Sequence, residues 1–303
     1  MLDPDSLPAT PMVVALDARL QGPGAAPAVV EADELAALQR ELAVDAEQAV
    51  IACLRWARRW AFAPTSRFEV GAAAWGESGR VHLGANIEFS SLPLNETVHA
   101  EQSAIMQAWV HGERQLRALA TSAAPCGYCR QFMLELPSPR PPILITGEQA
   151  QSLDALLPFA FGPQQLGREP GLLVAGPHGL VLDTPPATPT AADSLLALAL
   201  AAADRSSAPY SGALAGVALR LDDGRCFFGG VAESAAYNPS LGPMQAALIA
   251  LHHGGGRFSQ IEAAALVEAE SGPQPHRSAA SRLLAAVASP TIDLDWALAS
   301  TKA

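Results

Sequence analysis

The feature that most constrains this chain is that it matches itself. Ala63-Pro-Thr-Ser-Arg-Phe-Glu-Val-Gly-Ala-Ala73 lines up with Ala208-Pro-Tyr-Ser-Gly-Ala-Leu-Ala-Gly-Val-Ala218. At the same offset, Gly84-Ala-Asn-Ile-Glu88 lines up with Gly229-Gly-Val-Ala-Glu233. After a gap of two residues, Gln102 meets Gln245 and Ala104 meets Ala247. A repeat this long and this divergent indicates a duplicated domain rather than a solenoid. A chain of 303 residues suffices for two domains of ordinary size. The copies differ most at one place: His99-Ala-Glu101 in the first faces Gly242-Pro-Met244 in the second, which also lacks any Cys-x-x-Cys. One copy is therefore expected to do chemistry and the other to have lost it.

In the first copy, apolar residues recur at helical spacing over 31–60, as Leu35, Leu38 and Leu42 and then Val50, Leu54 and Ala57. Segments 68–75 and 80–87 read as strands joined by the turn Gly76-Glu-Ser-Gly79. Helices are predicted over 97–111 and from 126 to before Pro137, with further strands over 116–122 and 142–146. Strands alternating with helices define an α/β layered domain. Residues 1–30, rich in Pro, Ala and Gly, read as irregular. Over 167–190 the composition shifts to Pro, Gly and Thr, which reads as an interdomain connection with 183–190 its stiffest part and Asp193 as the next helix cap. The expected organisation is an N-terminal irregular and helical segment 1–45, a catalytic domain 46–166, a linker 167–190 and a degenerate domain 191–303.

The chemistry concentrates in His99-Ala-Glu101 and Pro125-Cys126-Gly-Tyr-Cys129. One imidazole and two thiolates are zinc-type donors, and three of them leave a tetrahedral metal one open position, as in catalytic rather than structural sites. His99, Cys126 and Cys129 are therefore the expected ligands of one Zn²⁺ per chain. Both ligand groups fall at predicted helix starts, where the positive helix end stabilises thiolates. Two thiolates nearly neutralise the metal, so a neighbouring base is needed, and Glu101 is placed to take the proton of an activated water. Cys53 and Cys226 read as small core residues. The other histidines, His82, His111, His178, His252, His253 and His276, show no paired ligand spacing.

Four cysteines do not make a disulfide framework, and the N-terminus has neither a basic nor an apolar signal region. The longest apolar run, 195–203, is too short to span a bilayer. A cytoplasmic protein without membrane contact is expected. The net charge of −11 repels a phosphate backbone. Arg55, Arg58 and Arg59, the densest basic group, read as a solvated helix face.

His-x-Glu followed by Pro-Cys-x-x-Cys is the signature of zinc deaminases. More specifically, the chain resembles the larger, two-domain bacterial cytidine deaminases. The matching stretches are Phe68-Glu-Val-Gly-Ala72, Gly84-Ala-Asn-Ile-Glu-Phe89, Thr97-Val-His-Ala-Glu-Gln-Ser-Ala-Ile105, Pro125-Cys-Gly-Tyr-Cys-Arg-Gln-Phe132, Ala160-Phe-Gly-Pro163 and Ala232-Glu-Ser-Ala-Ala-Tyr-Asn-Pro239. The resemblance implies a three-layer α/β/α sandwich with a mixed five-stranded sheet, present once as a catalytic and once as a degenerate copy. It implies that Asn86 and Glu88 bind the ribose, that Phe68 packs on the pyrimidine and that the Ala100 backbone reads the base edge. It further implies a nucleoside substrate and a homodimer whose active sites are completed across the interface, with Phe161 and Tyr237 near the shared pocket. The chain departs from the family pattern at Ala124, Tyr128 and Tyr237. Two rival readings remain: a deaminase of cytosine or adenine in polynucleotides, which the acidic charge and Asn86-x-Glu88 disfavour, and a non-catalytic zinc-stabilised scaffold, which needs an idle Glu101.

Overall fold

The structure is a computed structural model, which describes residues 2–184, 191–288 and 292–301, with backbone alone at 191–193. It divides into two compact units, Met1–Phe161 with His253–Gly255, and Gly162–His252 with Gly256–Ala303.

The first unit starts with helix α1 (Pro11–Arg19), where an irregular segment was expected. The start signal is local: Thr10 accepts from Val13 N at 3.4 Å and Pro11 occupies the first helical turn, where its missing N–H costs nothing. Strand β1 (Val29–Val30) follows, then α2 (Ala32–Leu42), α3 (Ala46–Ala52) and α4 (Leu54–Ala57). Asp45 caps α3 by accepting from Gln48 N at 2.8 Å. Arg55, Arg58 and Arg59 do not form a solvated face. Arg55 and Arg59 both bind the Asp17 carboxylate and Arg58 binds Asp5, so the three arginines fasten the first twenty residues to the domain. Trp56 Nε1 also donates to Asp17, at 3.0 Å.

Strands β2 (Gly71–Gly76) and β3 (Val81–Ala85) form the expected hairpin, whose turn ends at Gly79 with φ +90°. Helix α5 (Ala100–Val110), strand β4 (Leu116–Thr121), helix α6 (Gly127–Met133), strand β5 (Ile143–Ile145) and the short α7 (Leu153–Leu156) complete the unit. The sheet order is β1-β3-β2-β4-β5, antiparallel except for β4 with β5. Strand residues alternate between faces. Ala73, Val81, Leu83 and Ala85 point into a core shared with Leu16, Leu38, Val50, Trp56 and Trp60. The intervening Gly84 lies under α5, where an added Cβ would fall 2.2 Å from Ala104 N. Helices therefore cover both faces.

The second unit repeats this plan. Its strands are β6 (Leu180–Leu182), β7 (Ala215–Leu221), β8 (Cys226–Gly230), β9 (Ile261–Ala269) and β10 (Leu294–Thr301). Its helices are α8 (Ala191–Asp204), α9 (Pro243–His253) and α10 (Arg277–Val287). The order β6-β10-β9-β7-β8 is again a mixed five-stranded sheet, with β9 and β10 parallel. Leu195, Ala199 and Ala203 of α8 pack on Ala218, Ala265 and Val267. Gly229 lies under α9, where a Cβ would fall 2.4 Å from Ala247 N. The α/β/α sandwich thus occurs twice.

Part of the segment read as a connection carries structure. Leu172 and Leu173 are buried, and β6 pairs antiparallel with β10 as an edge strand. Residues 185–190 of its stiffest run lie outside the described residues. Asp193 falls within α8 rather than ahead of it. Cys53 is buried as expected, but Cys226 is exposed at the start of the edge strand β8. Among the described residues no helix is long and apolar enough to cross a membrane.

Candidate active site

Two helix starts build the centre of the first unit. His99 occupies the N-cap position of α5 and Cys126 that of α6, while Cys129 lies in the first turn of α6. The helices pack against each other. His99 N donates to Gln102 Oε1 at 3.2 Å, which fixes the entry into α5. Pro125 sets the entry into α6, and its carbonyl accepts from Arg130 Nε at 2.7 Å. Arg130 also donates to Leu156 O at 2.6 Å, tying the cysteine turn to α7.

The three donor atoms form a compact triangle. His99 Nδ1 lies 3.4 Å from each sulfur and the sulfurs lie 3.7 Å apart. A tetrahedral zinc with ordinary bond lengths places two sulfurs about 3.8 Å apart and a sulfur and a nitrogen about 3.5 Å apart. The residues present therefore fit the metal in both chemistry and spacing. No other group of three such donors meets this spacing among the described residues. Tyr128 stacks on the His99 ring, with centroids 5.7 Å apart.

The protons of the cluster are strongly coupled to its geometry. The hydrogen bond shared with Cys129 lowers the Cys126 thiol to about 3, with His99 helping and burial opposing. That same bond, together with burial and the Glu101 charge, pushes Cys129 up. The Cys126 hydrogen bond raises His99. Glu101 is 4 % exposed, and burial raises its carboxyl. Its Oε2 accepts from Cys129 Sγ at 3.2 Å, so the carboxylate adjoins the donor triangle without joining it. A divalent cation would favour both sulfurs in their thiolate form.

The cluster forms one wall of a pocket of about 280 Å³. Phe68, Asn86, Glu88 and Ala100, singled out from the sequence, line this pocket with Glu101, His99 and Cys126. Phe161 and Tyr237 do not line it. Phe161 is 49 % exposed, with its carbonyl accepting from the Gln131 side chain, and Tyr237, 66 % exposed, belongs to the second unit.

Asn86 and Glu88 are already engaged by the fold. Asn86 Oδ1 accepts from Val70 N at 2.9 Å and its Nδ2 donates to Phe68 O at 3.0 Å. Glu88 Oε2 accepts from Thr65 N at 2.8 Å and Ser66 N at 3.0 Å, while Oε1 accepts from the Ser66 hydroxyl. Burial pushes the Glu88 carboxyl up, but the Ser66 and Thr65 donors together hold it below its ordinary value. Sequence reasoning missed Ser66, although the repeat carried the signal: Ser211 occupies its position in the second copy. It also missed Glu113, buried and bonded to Ser78 and to His82 Nε2, the latter at 3.0 Å. No local spacing announces that group.

Two α/β/α units, one with a His-Cys-Cys donor set beside a buried carboxylate, define the class of zinc-site hydrolases that deaminate bases. Comparison with known proteins narrows the class. A family model described as the cytidine and deoxycytidylate deaminase zinc-binding region matches residues 44–143, and a second of the same description matches 153–281. A cytidine deaminase of Photorhabdus laumondii is 42 % identical over 262 residues, 86 % of this chain and 87 % of its own. That of Klebsiella pneumoniae is 44 % identical over 243 residues, 80 % of each chain. That of Vibrio vulnificus is 41 % identical over 259 residues, 85 % of this chain and 84 % of its own. The chain belongs to the cytidine and deoxycytidylate deaminase family. The second matched region holds Cys226 as its one cysteine, so there the family pattern persists without the metal donors.

Proposed function

We propose that this chain catalyses the zinc-dependent hydrolytic deamination of cytidine and 2′-deoxycytidine to uridine and 2′-deoxyuridine, with release of ammonia. The observation that carries the reading is Glu101: a buried carboxylate beside a zinc-type donor triangle, on the wall of a nucleoside-sized pocket. His99, Cys126 and Cys129 hold the metal, which when bound lowers the pKa of a coordinated water into the neutral range. Glu101 accepts a proton at its carboxylate and delivers it to N3 of the cytosine ring, which makes C4 more electrophilic. After water adds at C4, Glu101 passes a second proton to the amino nitrogen, and ammonia leaves as the carbonyl forms. Phe68 packs on the pyrimidine and the Ala100 backbone faces the base edge. Asn86 and Glu88 take the ribose hydroxyls with the hydrogen-bonding capacity that the loop leaves them. A carboxylate at the sugar disfavours a phosphate there, which favours free nucleosides over nucleotides and polynucleotides.

The wider proposal is a cytoplasmic homodimer in pyrimidine salvage, with Phe161 and Tyr237 completing the active site across the interface. The exposure of both rings supports it. Ultraviolet absorbance of cytidine incubated with zinc-loaded protein tests the activity. Conversion to uridine is expected, with Glu101→Gln keeping its zinc but losing roughly 10²–10⁴-fold in turnover. A variant near the wild-type rate would remove Glu101 from the mechanism.

A further inference from the structure

The second unit contains its own cavity, of about 570 Å³. One wall repeats the carboxylate clamp of the first pocket, although Val231 stands where Asn86 stands. Glu233 Oε2 accepts from Tyr210 N at 2.9 Å and Ser211 N at 3.1 Å, and Oε1 accepts from the Ser211 hydroxyl. Thr65 and Ser66 engage Glu88 in the same way. The opposite wall has changed. Gly242 stands where His99 stands, Met244 replaces Glu101, and the described residues offer no group of metal donors here.

We propose that this cavity is a second, non-catalytic site for an uncharged nucleoside. Its volume is in the range of small-molecule pockets. The Glu233 carboxylate and the Gln245 amide, both on its lining, are groups that take sugar hydroxyls. Tyr210 supplies aromatic surface for a flat ring, a role that Ala213 cannot fill at the position matching Phe68. No Lys or Arg lines the cavity, and burial lowers the pKa of its lining imidazole, His276, so little there neutralises a phosphate beside Glu233. With neither a base at the Glu101 position nor metal donors, a bound nucleoside is held and not converted. The nucleoside class rests on the proposed function, because the shared wall is the one assigned there to the sugar.

Equilibrium dialysis of labelled uridine against the zinc-loaded full-length protein tests this. Uridine is a product and is not turned over. Saturation is expected at about two molecules per chain for the wild type and about one for Ala279→Trp, which fills the cavity from α10. Should that variant melt early, Tyr210→Ala, which keeps the backbone amide on Glu233, is expected to weaken the same site by roughly tenfold. Asn86→Ala should weaken only the other site. Saturation at one molecule per chain in the wild type, unaffected by Ala279→Trp and Tyr210→Ala, overturns the proposal. Cytidine turnover by the wild type, measured separately, decides the deaminase reading alone. Uridine binding that Ala279→Trp removes and Asn86→Ala spares would establish the second site even if turnover were absent.

Discussion

The two copies share what holds the backbone and differ in what does chemistry. Both contain the same four-stranded core, β3-β2-β4-β5 in one and β8-β7-β9-β10 in the other, but the fifth strand is added at opposite edges. In both, a glycine lets a helix lie directly on the sheet. In both, a Gln side chain accepts from the residue before that helix, as Gln102 does from His99 N and Gln245 from Gly242 N. In both, a carboxylate gathers two amides and a serine hydroxyl. The metal donors and Glu101 have no counterparts. The carboxylate clamp therefore belongs to the fold first, and only the donor cluster with its neighbouring carboxylate lacks a counterpart in the second copy.

Four substitutions sharpen that division. Cys129→Ala should abolish bound zinc by elemental analysis and with it all turnover, whereas Cys226→Ala should leave the metal in place. Zinc retained by Cys129→Ala would mean that the donor triangle is not the metal site. Next in size, Glu88→Gln and Glu233→Gln should each lower unfolding free energy by about 1–3 kcal/mol, because each clamp is a charged acceptor for three donors. Only Glu88→Gln should raise KM for cytidine. Since the folded Glu88 carboxyl lies below its ordinary value of 4.5, its contribution is complete above that pH and fades as pH falls through the folded value. The Gln variant should lose this part of the acid sensitivity in urea melts. Equal KM effects from both variants would break the comparison.

The smallest expected effect concerns the turn beside each clamp. Arg67 has φ +56° and its counterpart Gly212 has φ +72°. The left-handed region costs a side-chain-bearing residue about 1 kcal/mol relative to glycine. Arg67→Gly should therefore gain up to about 1 kcal/mol and Gly212→Arg should lose a similar amount, read from denaturant midpoints. Opposite signs would mean that the Arg67 side chain holds the turn by contacts that outweigh its backbone.

Features encoded within a few residues were legible beforehand. The donor set was readable because its ligands sit at helix-start spacing, and the duplicated fold because Gly84 and Glu88 keep register with Gly229 and Glu233. Features encoded by distant partners were not. Nothing near Arg55 or Arg59 announces Asp17, some forty residues earlier, so the arginines looked solvated when they anchor the N-terminus. Strand β6 is three residues long in a Pro- and Gly-rich stretch, and only its pairing with β10 makes it a strand. Cys226 sits in a sequence that suits a buried strand, and its edge position leaves it exposed. The engagement of Asn86 with Phe68 and Val70 was invisible because it links a side chain to the backbone of a neighbouring loop.

That engagement limits how the pocket can evolve. A side chain that binds the loop at both ends of its amide cannot be exchanged for the sake of a different sugar without also loosening the chain that carries it. With the sugar-binding roles proposed for Asn86 and Glu88, selection for ligand preference and selection for a folded protein would act on the same atoms. Adaptation to altered nucleosides would then be expected at Ala123 and Ala124, which line the pocket with side chains that carry no hydrogen-bonding group.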